Sequence, residues 1–117
     1  MVWIIFYPGA FVPEMEALSE TVQDGLLTMV ELLTLSGPSL GRPYADTLAG
    51  SKHANMKERR FAAEGGVWRV AFAFDPKRRA IILVAGDKAG VAQKRFYKTL
   101  IAKADARFAD HLETLKG

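Results

Sequence analysis

Apolar and polar positions change rhythm several times along the chain, and each rhythm predicts an element. Val2 to Tyr7 is an apolar stretch that stops at Pro8-Gly9; it has no basic residue before it and is too short to span a membrane, so it reads as a first strand. From Val12 to about Leu35 the residues Met15, Leu18, Val22, Leu26, Met29, Val30 and Leu33 recur three and four apart, the stripe of an amphipathic helix. Pro13 suits its first turn, Gly37-Pro38 stops it, and Gly25 is expected to weaken or break it midway. Ser36 to Arg42 then reads as an extended surface connection.

The second half alternates as strands do. Met56–Ala63 and Val67–Phe74 flank Glu64-Gly65-Gly66, and with the two glycines as the central turn residues they form a hairpin. Asp75 to Arg79 is the next turn, leading into Ala80–Ala85, whose unbroken apolar run predicts a strand covered on both faces. From about Val91 to Leu115, Phe96, Leu100, Ala104, Phe108, Leu112 and Leu115 return to helical spacing. The sum is one α+β domain over residues 1–117: a strand, a long helix, a three-stranded antiparallel meander, and a C-terminal helix packed on the small sheet.

Strand alternation also assigns faces. With Gly65 and Gly66 central, Ala62 opposes Arg69 and Phe61 opposes Val70. Phe61, Ala63, Trp68, Val70, Phe72 and Phe74 then share a core face. Glu58, Arg60 and Arg69 share the other, with Arg60 and Arg69 as diagonal neighbours and the small Ala71 and Ala73 leaving room for a ligand. The following strand brings Lys88 back near Arg69, and Arg95, Tyr97 and Lys98 sit at the start of the last helix, with Phe96 on its buried side. The expected result is a basic concave patch containing one tyrosine; a solvated sheet face is the competing reading.

Charge gives this patch some support. Residues 1–41 carry five acids and no Lys or Arg; residues 42–98 carry 13 basic groups against five acids, a surplus of eight; the rest balance at three and three. Clustered cations suit a polyanion, although a solvated surface fits the charge pattern equally well. The chain has no cysteine, which excludes a disulfide framework and a thiolate nucleophile and fits the cytoplasm. Its two histidines, His53 and His111, make a poor metal site, so no metal and no cofactor are expected. His111 reads as structural. No P-loop, dinucleotide fingerprint, nucleophile elbow or deaminase motif is present.

Several fragments, taken in order, resemble one family: Gly41-Arg42-Pro43-Tyr44-Ala45-Asp46-Thr47-Leu48, Gly50-Ser51-Lys52-His53, Met56-Lys57-Glu58 with Arg60, Trp68-Arg69-Val70, Phe72-Ala73-Phe74-Asp75-Pro76, Gly86-Asp87-Lys88, and Phe96-Tyr97-Lys98. Together they are similar to the RelE/ParE superfamily of type II toxins, closest to its HigB-like, phage-derived branch. The resemblance implies a RelE-like fold and a metal-independent, ribosome-dependent mRNA endoribonuclease that inhibits translation and is held in check by a cognate antitoxin. Carried over by position, it implies Arg60 and Arg69 as the clamp on the scissile phosphate, Lys57, Lys88 and Tyr97 as further catalytic groups, and Lys52 and His53 as RNA contacts, joined by Arg95 and Lys98 from the basic patch. The alternatives are a ParE-like toxin that inhibits gyrase and a degenerate toxin that only binds its antitoxin. Two departures stand out: Arg59 occupies a position where the family carries a core-facing leucine, and Ala89 to Lys94 lacks the usual aromatic approach to the last helix.

Overall fold

The first hairpin turns one step earlier than its glycines suggest. In a computed structural model that describes residues 2–41 and 44–116, β3 (Lys57–Ala63) and β4 (Gly66–Phe74) are joined by Glu64 and Gly65, at φ 54° and 77°. Two successive positive φ values make the turn whose twist matches that of the flanking strands, so Gly66 already pairs with Ala63 inside the ladder. Arg60 therefore stands directly opposite Arg69, not diagonal to it, and Phe61 opposes Trp68. A shift of two residues preserves alternation, and every residue keeps the face assigned to it.

β4 continues through the Asp75 turn into β5 (Arg79–Asp87). Asp75 Oδ1 accepts from the backbone N–H groups of Lys77 and Arg79, holding the turn closed. Leu83 is an extra residue in β5: Ala71 pairs with Val84 and Phe72 with Ile82, so a bulge lies between them. β1 (Ile4–Phe6) runs parallel to β5 at one edge, and β2 (Asp46–Thr47), a two-residue strand that the sequence pattern does not announce, caps the other. The sheet order is β1-β5-β4-β3-β2.

The expected long first helix is two. α1 (Val12–Glu16) ends before Ser19, whose hydroxyl caps α2 (Glu20–Ser36) by accepting from Val22 N–H, while Gln23 Nε2 donates to the carbonyls of Met15 and Leu18 across the break. Gly25 does not interrupt α2. It lets the helix lie against the ring of Phe61: a Cβ there would meet Phe61 at 2.4 Å. The connection after α2 opens with a 3-10 turn, Gly37–Ser39, with Gly37 buried. Arg42 and Pro43, part of the first family-like fragment, lie outside the described residues.

Both sheet faces are covered. On one, Leu26, Met29 and Leu33 of α2 pack on Val70, Phe72 and Ile82. On the other, Leu100, Ala104 and Phe108 of α3 (Gln93–Lys116) pack on Ala71, Ala73 and Ile81. The small alanines thus admit a helix; the ligand space expected beside them is filled. Arg59 does turn toward the α2 face, opposite Val70, but its guanidinium reaches the Tyr44 carbonyl at 2.9 Å and lies over that ring, an exit that leucine would not need. α3 is tied down twice more. Arg107 bridges Glu14 of α1 and the Leu83 carbonyl at the bulge, and His111 Nε2 meets Asp75 Oδ2 at 2.9 Å. Since a carboxylate only accepts, that nitrogen carries the proton.

Candidate active site

The site forms where the first turn of α3 crosses the hairpin. Alternation puts Glu58, Arg60 and Arg69 on one face of β3 and β4, and α3 lowers Tyr97 onto them. The Tyr97 hydroxyl accepts from Arg69 Nε at 2.8 Å and from Arg60 at 3.3 Å, and donates to Glu58 Oε1 at 3.1 Å. Glu58 also accepts from Arg60 Nε at 2.7 Å, which raises the Arg60 pKa further above its ordinary value. Two arginines directly across a ladder repel; the buried Glu58 carboxylate and the shared hydroxyl offset that repulsion.

The two arginines are held differently. Arg60 is fixed by an ion pair while its side chain remains 58% exposed. Arg69 is only 8% exposed, sandwiched against the rings of Phe96 and Tyr97 at 5.5 and 5.6 Å, with one guanidinium nitrogen on the Val67 carbonyl. Among the described residues no carboxylate forms an ion pair with Arg69. Its charge is met directly by dipoles and ring faces, and by the Glu58 carboxylate only through the Tyr97 hydroxyl, so it retains attraction for an incoming anion. Arg60, Glu58 and Tyr97 line a cleft of about 220 Å³ with Asp46, Thr47, Leu48 and Ala49, and Arg69 lies behind the Tyr97 hydroxyl.

The other expected site residues are distributed around this centre. Lys88 follows β5 two residues beyond Gly86, the partner of Arg69. Lys57 pairs with Phe72, one residue out of phase with Glu58 and Arg60, but its Nζ bonds Thr47 Oγ1 at 3.2 Å, at a residue that lines the same cleft. Lys52, His53 and Lys98 line a separate groove along α3, and Arg95 lies on the helix's other flank, beside Val84 and Gly86. His111 is buried at the Asp75 turn, in the structural role expected of it. Among the described residues no three His, Asp or Glu side chains gather as a metal site. Glu58 is the functional group that the sequence reading left without a role; its two-residue spacing from Arg60 is the signal that could have assigned one.

A strand, two helices, a meander and a long helix laid across an arginine-bearing hairpin define a RelE-type fold. A mutant of the E. coli toxin RelE in its free state superposes with a TM-score of 0.59 over 88% of this chain and 97% of that one, at 12% identity, a likeness of fold. The chain belongs to the family described as phage-derived protein Gp49-like, whose model matches residues 13–109. Two relatives from Mycobacterium tuberculosis carry it further: "Putative toxin HigB2", 42% identical over 84% of this chain, and "Putative toxin HigB3", 43% identical over 86%. The chain spans 49% of the length of the first and 86% of the second. No helix among the described residues is long and apolar enough to cross a membrane.

Proposed function

We propose that this protein is the toxin of a type II toxin-antitoxin pair and cuts messenger RNA on the ribosome without a metal ion. The observation that carries the reading is the convergence of Arg60, Arg69 and Glu58 on the Tyr97 hydroxyl at the edge of one cleft. RNA can cleave itself when a 2′-hydroxyl attacks the adjacent phosphate in line: the 2′-oxygen bonds to phosphorus, the 5′-oxygen leaves, and the hydroxyl proton ends on the leaving oxygen. The barrier lies in the extra charge of the phosphorane and in moving that proton. Two guanidinium groups held side by side supply the first need, Arg69 from a desolvated position where its charge is least screened. Tyr97, hydrogen-bonded to Glu58, provides a path for the second: the hydroxyl and carboxylate can take up a proton on one side and return one to the leaving oxygen.

A gyrase-binding module has no use for a tyrosine bonded to two arginines and a buried carboxylate, which favours cleavage over the ParE-like alternative. The antitoxin is read as an acidic protein, complementary to the basic hairpin side of the molecule. Mapping RNA ends after induction tests the proposal. Cuts within translated messages, abolished in Arg60→Ala and Arg69→Ala variants that stay folded and unaffected by EDTA, are expected. Growth arrest that persists at full strength in both variants, or cleavage that requires a divalent ion, would overturn it.

A further inference from the structure

A second, larger groove lies beside the arginine cleft. About 590 Å³ of space runs between α3 and the loop after β2, lined by Lys52, His53 and Lys98 and, along the helix, by Ile101, Ala102, Asp105 and Ala106. The two spaces are lined by consecutive residues, Ala49 and Gly50 on the loop side and Tyr97 and Lys98 on the helix side, so they are neighbours. At 1.5 Å per residue, Ala106 lies about 14 Å along α3 from Tyr97, a distance that more than one nucleotide of an extended strand can span.

The loop that forms one wall is held by a single buried carboxylate. Asp105, 9% exposed, accepts the Ser51 hydroxyl on Oδ1 and the Lys52 N–H on Oδ2 at 3.0 Å, and Ser51 Oγ in turn accepts from His53 N–H at 3.0 Å. The His53 ring is pinned edge-on against Phe108, centroids 4.9 Å apart. Three consecutive residues are thereby fixed to one point of α3, and both Asp105 oxygens are engaged by the loop, with neither Lys52 Nζ nor Lys98 Nζ among their partners.

Resting on the proposed RNA cleavage, we propose that this groove is a preformed subsite for the RNA next to the scissile phosphate, and that Asp105 and Ser51 are its positioning residues. Exposed lysines on both walls meet the phosphates, while the alanine and isoleucine floor and the edge of the imidazole receive a base. Such pairing of cations with flat apolar surface suits a single strand better than a duplex. Small side chains at Ala102 and Ala106 give the base its depth, so their size sets what the subsite admits.

The test is the kinetics of message cleavage by the full chain in a purified translation system. Ala106→Trp, at an exposed helix position, fills the groove without touching Arg60, Arg69 or Tyr97. It is expected to raise KM for programmed ribosomes about tenfold, the loss of one stacked base, with kcat within about twofold. Ser51→Ala is expected to raise KM as well, and Ser51→Thr, which keeps the hydroxyl, to restore it at unchanged thermal stability. Parent-like KM in Ala106→Trp and Ser51→Ala overturns the subsite while leaving the cleavage reading intact. A parent protein that cuts no RNA instead removes the reading beneath it. If Ala106→Trp cleaves normally but escapes neutralisation by the antitoxin, the groove belongs to that protein partner and the RNA assignment is wrong.

Discussion

Arg69 and Tyr97 show how one residue's position decides another's chemistry. The phenol is the hub: it takes hydrogen bonds from both arginines and gives its own to Glu58. Tyr97→Phe removes that hub, leaves the rings stacked on Arg69, and is expected to lower cleavage roughly a hundredfold with little change in Tm; activity within a few-fold of the parent would take Tyr97 out of proton transfer. Arg69→Lys keeps the charge but loses the planar fork that donates to Tyr97 and Val67 together. It is expected to lose most activity, and an equally active lysine variant would reduce Arg69 to a point charge. Arg60 and Arg69 were legible as a pair from alternation alone, because faces survive a slip of two residues. Their direct opposition was not, because nothing in the string Glu64-Gly65-Gly66 says which two of the three make the turn. The Ser51–Asp105 lock spans 54 residues and leaves no local pattern at all.

At the scale of elements, the strands and helices that bury a face announced themselves by period, and the features settled by single contacts did not. The break between α1 and α2 comes from the Ser19 cap, not from Gly25, whose absent side chain serves the approach of Phe61. Gly25→Ala would ordinarily favour a helix; here it is expected to destabilise the fold by about 1–3 kcal/mol through overpacking, measurable by urea titration. A stabilised variant would mean that the helix can shift away from Phe61. The Asp75 turn makes a second prediction. Burial works to raise the Asp75 carboxyl pKa, but hydrogen bonds from His111, Arg79 and the Lys77 backbone outweigh it and hold the group below its ordinary value. A carboxyl depressed on folding contributes stability above its unfolded pKa of about 3.9 and loses it as pH falls through the lower folded value. Asp75→Asn should therefore cost on the order of 2 kcal/mol at neutral pH and flatten the acid limb of the stability curve. Acid unfolding identical to the parent's would show that the His111 contact does not tie α3 to the sheet.

Across the whole molecule the charge polarity of the sequence becomes a polarity of faces. The acids of α2 lie with that helix on one side of the sheet, Glu14 of α1 reaches Arg107 of α3, and the arginine cleft and lysine-walled groove open on the α3 side. RNA affinity should fall with salt, and removing Lys52 or Lys98 should reduce the log–log slope by about 0.7 each, whereas reversing Glu20 or Asp24 should leave it unchanged. Equal slopes in all four variants would mean that the groove lysines never reach a phosphate. The extra residue at Leu83 acts on the same scale. It sets Gly86, not Ala85, opposite Arg69, under the ring of Phe96, where even a Cβ would come within 3.1 Å. A sheet that closed without the bulge would put a methyl group in that place and push away the helix turn carrying Tyr97. A chain paired in that register would therefore lack the cluster: Tyr97 meets Arg60, Arg69 and Glu58 only once the sheet has been correctly counted out.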